Sequence, residues 1–295
     1  MKLILIILSI FILVIFTVNY VKYSMDMKLL KMYEKNILPN EKPFLKEYPV
    51  VDEIPKVIHQ TNETLENYLF FDKESKLNNK SCPNYQFKFY NNQDRVEYIK
   101  NNYGERILRS YLKISDDFGP CKADLFRYLL LYKEGGIYLD NKSIIMKNLD
   151  SYLDKNHGKL LTAFHEFSLY HKINFFSPHN TYYYFNKKYN LNHGEFIQWF
   201  IASNPGNKML KKIIEKIIVN IEAEEKRKKK TIYDKGGVLV LSGPVMFTET
   251  ILENDCKDCY VMKNFVNNYV KYKIRDHKKV NNKHYSKIQN KSVIM

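Results

Sequence analysis

The chain has 295 residues, enough for one large α/β domain or two small ones. Hydrophobic residues make up 45% and aromatic ones 15%, which excludes disorder along the whole chain. Lys and Arg number 47 against 32 Asp and Glu, and the formal net charge of +15 suits anionic partners: nucleic acid, an acidic membrane surface or phosphorylated small molecules. Much of the excess sits in Lys226-Arg227-Lys228-Lys229-Lys230 and in the tail 271–291, runs that read as solvated faces. No nucleic-acid-binding module accompanies them, so no nucleic-acid partner is expected.

Residues 3–18 are apolar apart from Ser9 and Thr17 and carry no charge. Extended through Tyr20 and Val21, the stretch reaches the roughly 17–20 residues that a bilayer core requires. A cleaved signal peptide is the competing reading, but its apolar region is usually about 7–15 residues and ends at small residues. No Ala-x-Ala site follows here, so an uncleaved transmembrane signal anchor over 1–21 is expected. Lys22, Lys28 and Lys31 oppose Lys2 under the positive-inside rule, so charge leaves the orientation open. Residues 22–48 mix Lys, Glu, Asn and Pro and read as a stem. A globular domain is expected over 49–295.

Within that domain Ile54–Gln60 reads as a first strand with Pro55 at its start, where proline is tolerated. A helix follows over 62–77. Tyr85–Tyr90 alternates as a strand does, and 92–103 reads as a helix with Val96 and Ile99 on one face. The next helix, 120–134, opens at Gly119-Pro120 and stops at Gly135-Gly136. On it Asp124 and Arg127 are three apart and therefore neighbours on its surface. Ile137-Tyr138-Leu139 is a strand that ends at Asp140, and 144–146 continues extended. Strands are expected at 159–164, 173–176 and 236–241. The segment 196–202 is apolar and holds Trp199. Helices are expected at 207–227, on a stripe of Leu210, Ile213, Ile214, Ile217, Ile218 and Ile221, and at 245–254. Alternating strands and helices predict an α/β fold with a mixed, mostly parallel sheet flanked by helices.

The four cysteines, Cys82, Cys121, Cys256 and Cys259, allow up to two disulfides in three connectivities. Cys256-Lys-Asp-Cys259 alone is weak evidence for zinc, and buried thiols or a local disulfide is the plainer reading. Asn-x-Ser/Thr triplets occur at Asn62, Asn79, Asn141 and Asn290, and they matter only in a lumenal domain.

Ile54-Pro-Lys-Val-Ile-His59-Gln60, Lys122-Ala-Asp-Leu-Phe-Arg127-Tyr128, Gly135-Gly-Ile-Tyr-Leu-Asp140, Asn204-Pro-Gly206 and Ser242-Gly243-Pro244 occur in one order across 54–247. In that order they resemble glycosyltransferase family 32, the DXD-motif sugar-binding-region family that includes fungal α-1,6-mannosyltransferases. The resemblance implies a GT-A fold, a nucleotide-sugar donor, a glycan or glycoprotein acceptor and retention of configuration. It implies a type II protein whose catalytic domain lies in a Golgi- or ER-like lumen, held at the membrane by the N-terminal helix. It places His59, Gln60, Asp124, Arg127, Asp140, Ser242 and Gly243 at the donor. Asp140 would face the ribose or a Mn or Mg ion on the diphosphate, Asp124 the sugar hydroxyls, and Arg127 would orient Asp124 or touch the sugar phosphate. The Ser242-Gly243-Pro244 loop would offer a helix N-terminus to an anion.

The bland readings of these residues are a helix-surface ion pair, a turn Asp and a core His. Lys142 stands where the motif's second acid is expected. A lysine has no acceptor for a hard cation. Either Lys142 neutralises the departing diphosphate together with Arg127, as a catalytic group, or Asp140 alone holds a metal with phosphate and water. A catalytically inactive sugar-nucleotide- or glycan-binding relative, and a basic membrane-anchored structural protein, are the rival readings.

Overall fold

Two buried strands set the frame. β1 (Val57–Thr61) pairs in parallel with β3 (Gly136–Leu139), Ile58 opposite Ile137 and His59 opposite Tyr138. All of β3 is buried, and its alternation sends Ile137 and Leu139 to one core and Tyr138 to the other. A strand covered on both faces reads as a continuous apolar run, as this one does.

The computed structural model describes residues 2–36, 43–154, 158–165, 181, 185, 188–191, 194–273 and 288–295. In chain order, α1 (Lys2–Asn36) precedes β1, followed by α2 (Leu65–Leu69), α3 (Asp72–Ser81), β2 (Gln86–Tyr90), α4 (Asn92–Tyr103) and α5 (Glu105–Lys113). α6 (Gly119–Glu134) leads into β3, then β4 (Ser143–Ile145), α7 (Asp150–Leu153), β5 (Leu160–Thr162) and β6 (Phe200–Ser203). α8 (Lys208–Lys226), α9 (Asp234–Leu241), α10 (Pro244–Glu253), β7 (Cys259–Val261) and β8 (Val270–Tyr272) complete the order.

The main sheet runs β2-β1-β3-β6-β5-β7, and β4 pairs with β8 in a second, antiparallel sheet. β6 is antiparallel to both neighbours, while the pairs β1–β2, β1–β3 and β5–β7 are parallel. The fold is therefore α/β with a mixed, mostly parallel sheet, as the strand–helix order predicts. The carboxyl ends of β1, β3 and β5 and the start of β6 share one edge. Helices α6, α8, α9 and α10 cover one face of the sheet, around Tyr138 and Ile201. The other face buries Ile58, Leu139, Phe200 and Phe265.

Several elements form where expected. α4 spans the predicted residues because Asn91 and Asp94 close a capping box and Gly104 ends the helix. α8 buries the predicted stripe. The helix expected over 62–77 is two: Thr64 caps α2, accepting from Asn67 N at 3.1 Å, and buried Phe71 breaks the path before α3. The strand expected at 236–241 is a helix, α9. An apolar run buried all round does not reveal its own period, and burial in the helical layer decides it. The strand expected at 173–176 lies outside the described residues.

Cys256 and Cys259 form a disulfide, while Cys82 and Cys121 are buried free thiols. Among the described residues no helix is long and apolar enough to cross a membrane. The spanning helix expected over 1–21 is thus not shown, although α1 exposes Ile4, Phe11, Leu13 and Phe16. Further on, α1 is tied down: Tyr33 is buried and its hydroxyl accepts from Lys216 Nζ at 2.8 Å. Phe44 N and Leu45 N both donate to Glu215 Oε1 at 2.8 Å. The stretch read as a stem therefore packs onto α8.

Candidate active site

The turn after β3 is built by the glycines before it. Gly136 has φ +89, and a Cβ there would lie 2.7 Å from Val57 O, so only glycine lets β3 start flush against β1. Four residues later Asp140 leaves the strand at the carboxyl edge of the sheet. Its N–H donates to Trp199 O at 2.9 Å, and its carbonyl accepts from Ser143 N at 2.8 Å, closing a turn over 140–143. Such an edge is where open α/β sheets bind ligands.

α6 runs back over β3, so its amino-terminal half overhangs this edge. Arg127 Nη2 lies 2.9 Å from Asp124 Oδ1 and 3.7 Å from Asp140 Oδ1. Its guanidinium stacks 4.3 Å from the centroid of the Tyr138 ring, and Nη1 donates to Gln198 O. Tyr138 donates its hydroxyl to Asp140 Oδ1 at 3.0 Å. Asp124 Oδ2 accepts from Ser242 Oγ at 3.0 Å, and Ser242 Oγ also lies 3.2 Å from Cys121 Sγ. Ser242 O accepts from Tyr128 and from Gln198 Nε2, both at 3.1 Å.

Burial sets the electrostatics. It pushes the Asp124 carboxyl up to about 7, against the opposing pull of Arg127 and the Ser242 hydrogen bond. For Arg127 burial works against the charge, but Tyr138, Asp124 and Asp140 outweigh it and raise its pKa. Asp124 and Arg127 are buried, while Asp140 keeps 27% of its side chain exposed and is the carboxylate open to a ligand. Lys142 is half-buried, which lowers its pKa, and the charge of Asp140 raises it. Its Nζ lies 5.9 Å from the Phe71 ring centroid.

The fold thus brings Asp124, Arg127, Asp140, Lys142 and Ser242 to one edge. Gln60, the next-to-last residue of β1, is 1% exposed, with Oε1 accepting from Tyr68 at 3.3 Å and Nε2 without a partner among the described residues. His59 lies opposite Tyr138 on the helix-covered face, back from the edge. Its Nε2 lies 3.2 Å from Gly135 O and its Nδ1 3.3 Å from Tyr90 OH, and burial lowers its pKa to about 4. Those partners make it a neutral core histidine, set apart from the Asp124–Arg127–Asp140 group. Ser242 and Gly243 do not present an open helix end. Both are buried, their N–H groups donate to Val238 O, and a Cβ on Gly243 would lie 2.7 Å from Leu239 Cα. The sequon residue Asn141 is 5% exposed.

Tyr138 and Gln198 escaped the sequence reading. Tyr138 had a usable signal, since residues two apart on a strand share a face with Asp140. Gln198 had none, because its contacts join residues 44 to 71 positions away.

The side chains do not fit a two-carboxylate cation site. Both oxygens of Asp124 are engaged by Arg127 and Ser242, and Lys142 stands at the third motif position. Among the described residues no three His, Cys, Asp or Glu side chains gather as metal ligands.

Known proteins resemble part of the chain. Residues 20–159 match the model described as a glycosyltransferase sugar-binding region containing a DXD motif. An initiation-specific α-1,6-mannosyltransferase of Candida albicans is 29% identical over 136 residues, covering 45% of this chain and 34% of that protein. An uncharacterized glycosyltransferase of Acanthamoeba polyphaga mimivirus is 35% identical over 104 residues, 34% of this chain and 40% of that one. The chain thus spans less than half the length of these relatives. Among solved structures, the PaToxG glycosyltransferase aligns over 79% of each chain at 17% identity and a TM-score of 0.43. Over residues 20–159, just under half of its length, this chain is thus similar to the glycosyltransferase sugar-binding region containing a DXD motif.

Proposed function

We propose that the chain is a glycosyltransferase that moves a hexose from a nucleotide-sugar donor to a hydroxyl of a glycan or glycoprotein acceptor, with retention, on a GT-A fold. The observation that carries this is the group Asp124–Arg127–Tyr138–Asp140, held by close contacts at the carboxyl edge of β3. Asp140 is the exposed acid that meets the donor's ribose. Asp124 fixes Arg127, and its oxygens keep lone pairs for a sugar hydroxyl. Arg127 supplies fixed positive charge beside the phosphates, where negative charge develops as the glycosidic bond breaks. Gln60, near the end of β1, offers the nucleotide an amide N–H that has no partner among the described residues. In a front-face retaining reaction the departing diphosphate takes the acceptor proton, so no protein base is required.

Charge and apolarity support a membrane setting for the same enzyme. The exposed apolar face of α1 from Ile4 to Phe16 suits a lipid environment, with 1–21 as a signal anchor and the domain on the lumenal side. The test is turnover. Full-length protein is incubated with a panel of nucleotide hexoses and oligosaccharide acceptors, with and without chelator. The reading expects nucleoside diphosphate release from at least one donor. Donor binding without release under every condition would leave the inactive, sugar-nucleotide-binding relative in its place.

A further inference from the structure

We propose that the Lys142 ammonium is the resident cation of this donor site, standing where a divalent ion would sit against the diphosphate, so that nucleoside diphosphate binds without metal. The inference rests on the donor-site reading above and adds the identity of the charge that meets the diphosphate.

Position comes first. Lys142 lies two residues after Asp140, inside the turn closed by the Ser143 N to Asp140 O bond. Its own carbonyl accepts from Lys273 N at 3.0 Å, and the next residue, Ser143, pairs with Tyr272 in the second sheet. The backbone that presents the side chain is therefore held from both sides. The side chain is half-buried, its Nζ 5.9 Å from the Phe71 ring centroid and within the electrostatic influence of the Asp140 carboxylate. A partly desolvated ammonium acts on a neighbouring phosphate through less water than a surface lysine does.

Charge balance points the same way. With both carboxyls ionised, Asp124, Arg127, Asp140 and Lys142 sum to zero charge. An aspartate at the third position would leave the group with two negative charges in excess, the condition that draws in a divalent cation. The lysine removes both the ligand and the excess. Hard cations need oxygen ligands, and an ammonium offers none while repelling the ion. A diphosphate, by contrast, brings negative oxygens to an ammonium and a guanidinium already in place.

The flanking residues supply a second, independent sign that a ligand completes this turn. The Asn141 side chain, 5% exposed, buries both its amide nitrogen and oxygen without a partner among the described residues, and Ser143, fully buried, does the same with its hydroxyl. Buried polar groups are normally paired, and these two bracket Lys142.

The experiment is calorimetric titration of the full-length protein with GDP and with UDP, in EDTA and in Mn²⁺. The wild type is expected to bind at least one of them with affinities in the two media that agree within about twofold, while Lys142→Met weakens the diphosphate at least about tenfold and leaves the parent nucleoside unchanged. Lys142→Asp restores the Asp-x-Asp pattern and is expected to bind in Mn²⁺ only. A wild type that loses its nucleotide in EDTA overturns the proposal without touching the donor-site reading, and needs no variant to show it. Equal diphosphate affinity in wild type and a folded Lys142→Met also overturns it. Absence of nucleotide binding in both media removes the donor-site reading itself.

Discussion

Arg127 serves two carboxylates and an aromatic ring from a site that is 95% buried. An arginine suits that geometry because its planar fork stacks and bonds at once, and a lysine matches neither role. Arg127→Lys is therefore expected to cut turnover by at least about a hundredfold with the fold intact. Arg127→Ala leaves Asp124 buried without its partner and should cost about 3–5 kcal/mol in denaturant unfolding. His59 behaves differently. Its folded pKa of about 4 lies below the roughly 6.5 of an exposed histidine. A depressed base takes up protons on unfolding, so its contribution is present above pH 6.5 and lost as pH falls through about 4, on the order of 2–3 kcal/mol. Denaturation curves between pH 7 and 4 should show that loss, and His59→Leu should flatten this part of the profile. A catalytic reading of His59 would instead place the pH effect on turnover, with stability unchanged.

At the scale of elements, the α6–β3 passage and the turn after it were the most legible part of the chain. Gly135-Gly136, the apolar triplet and Asp140 announce a helix stop, a buried strand and an edge acid, and the structure forms all three. Gly136→Ala should cost about 2–3 kcal/mol, from left-handed strain and the displaced Val57 carbonyl, and should weaken donor binding by tilting the Asp140 turn. The α8 stripe was equally legible, and Ile217→Ala, at a fully buried position, should cost about 2–5 kcal/mol without changing nucleotide affinity. α9 was misread because six successive apolar residues look alike in a helix and a strand once all sides are buried. The three-residue strands β7 and β8 carry too few alternations to show a period. The site's closure by Ser242 and Gln198 was hidden for another reason: those bonds reach across 44 to 118 residues, and local pattern holds no trace of them.

For the whole molecule, the order of strands and helices predicted the mixed, mostly parallel sheet. It did not predict that the stem returns to the domain. Tyr33 is pinned by Lys216, and Leu45 is held by Glu215, whereas the apolar residues from Ile4 to Phe16 stay exposed among the described residues. Deletion of residues 2–21 should therefore leave the melting midpoint unchanged and abolish sedimentation with membranes. Deletion through residue 36 should lower the midpoint by several degrees, since even 1–2 kcal/mol moves a domain of this size by that much. The central claim is that the Asp124–Arg127–Asp140 edge binds and activates a nucleotide sugar. Its most direct test is release of nucleoside diphosphate from a nucleotide-hexose panel by wild type and by Asp140→Asn, whose fold should be unchanged because Asp140 is the exposed member of the group. The account predicts release by the wild type from at least one donor and a loss of at least about a hundredfold in the variant. No release from any donor, or equal release by the two proteins, would contradict it.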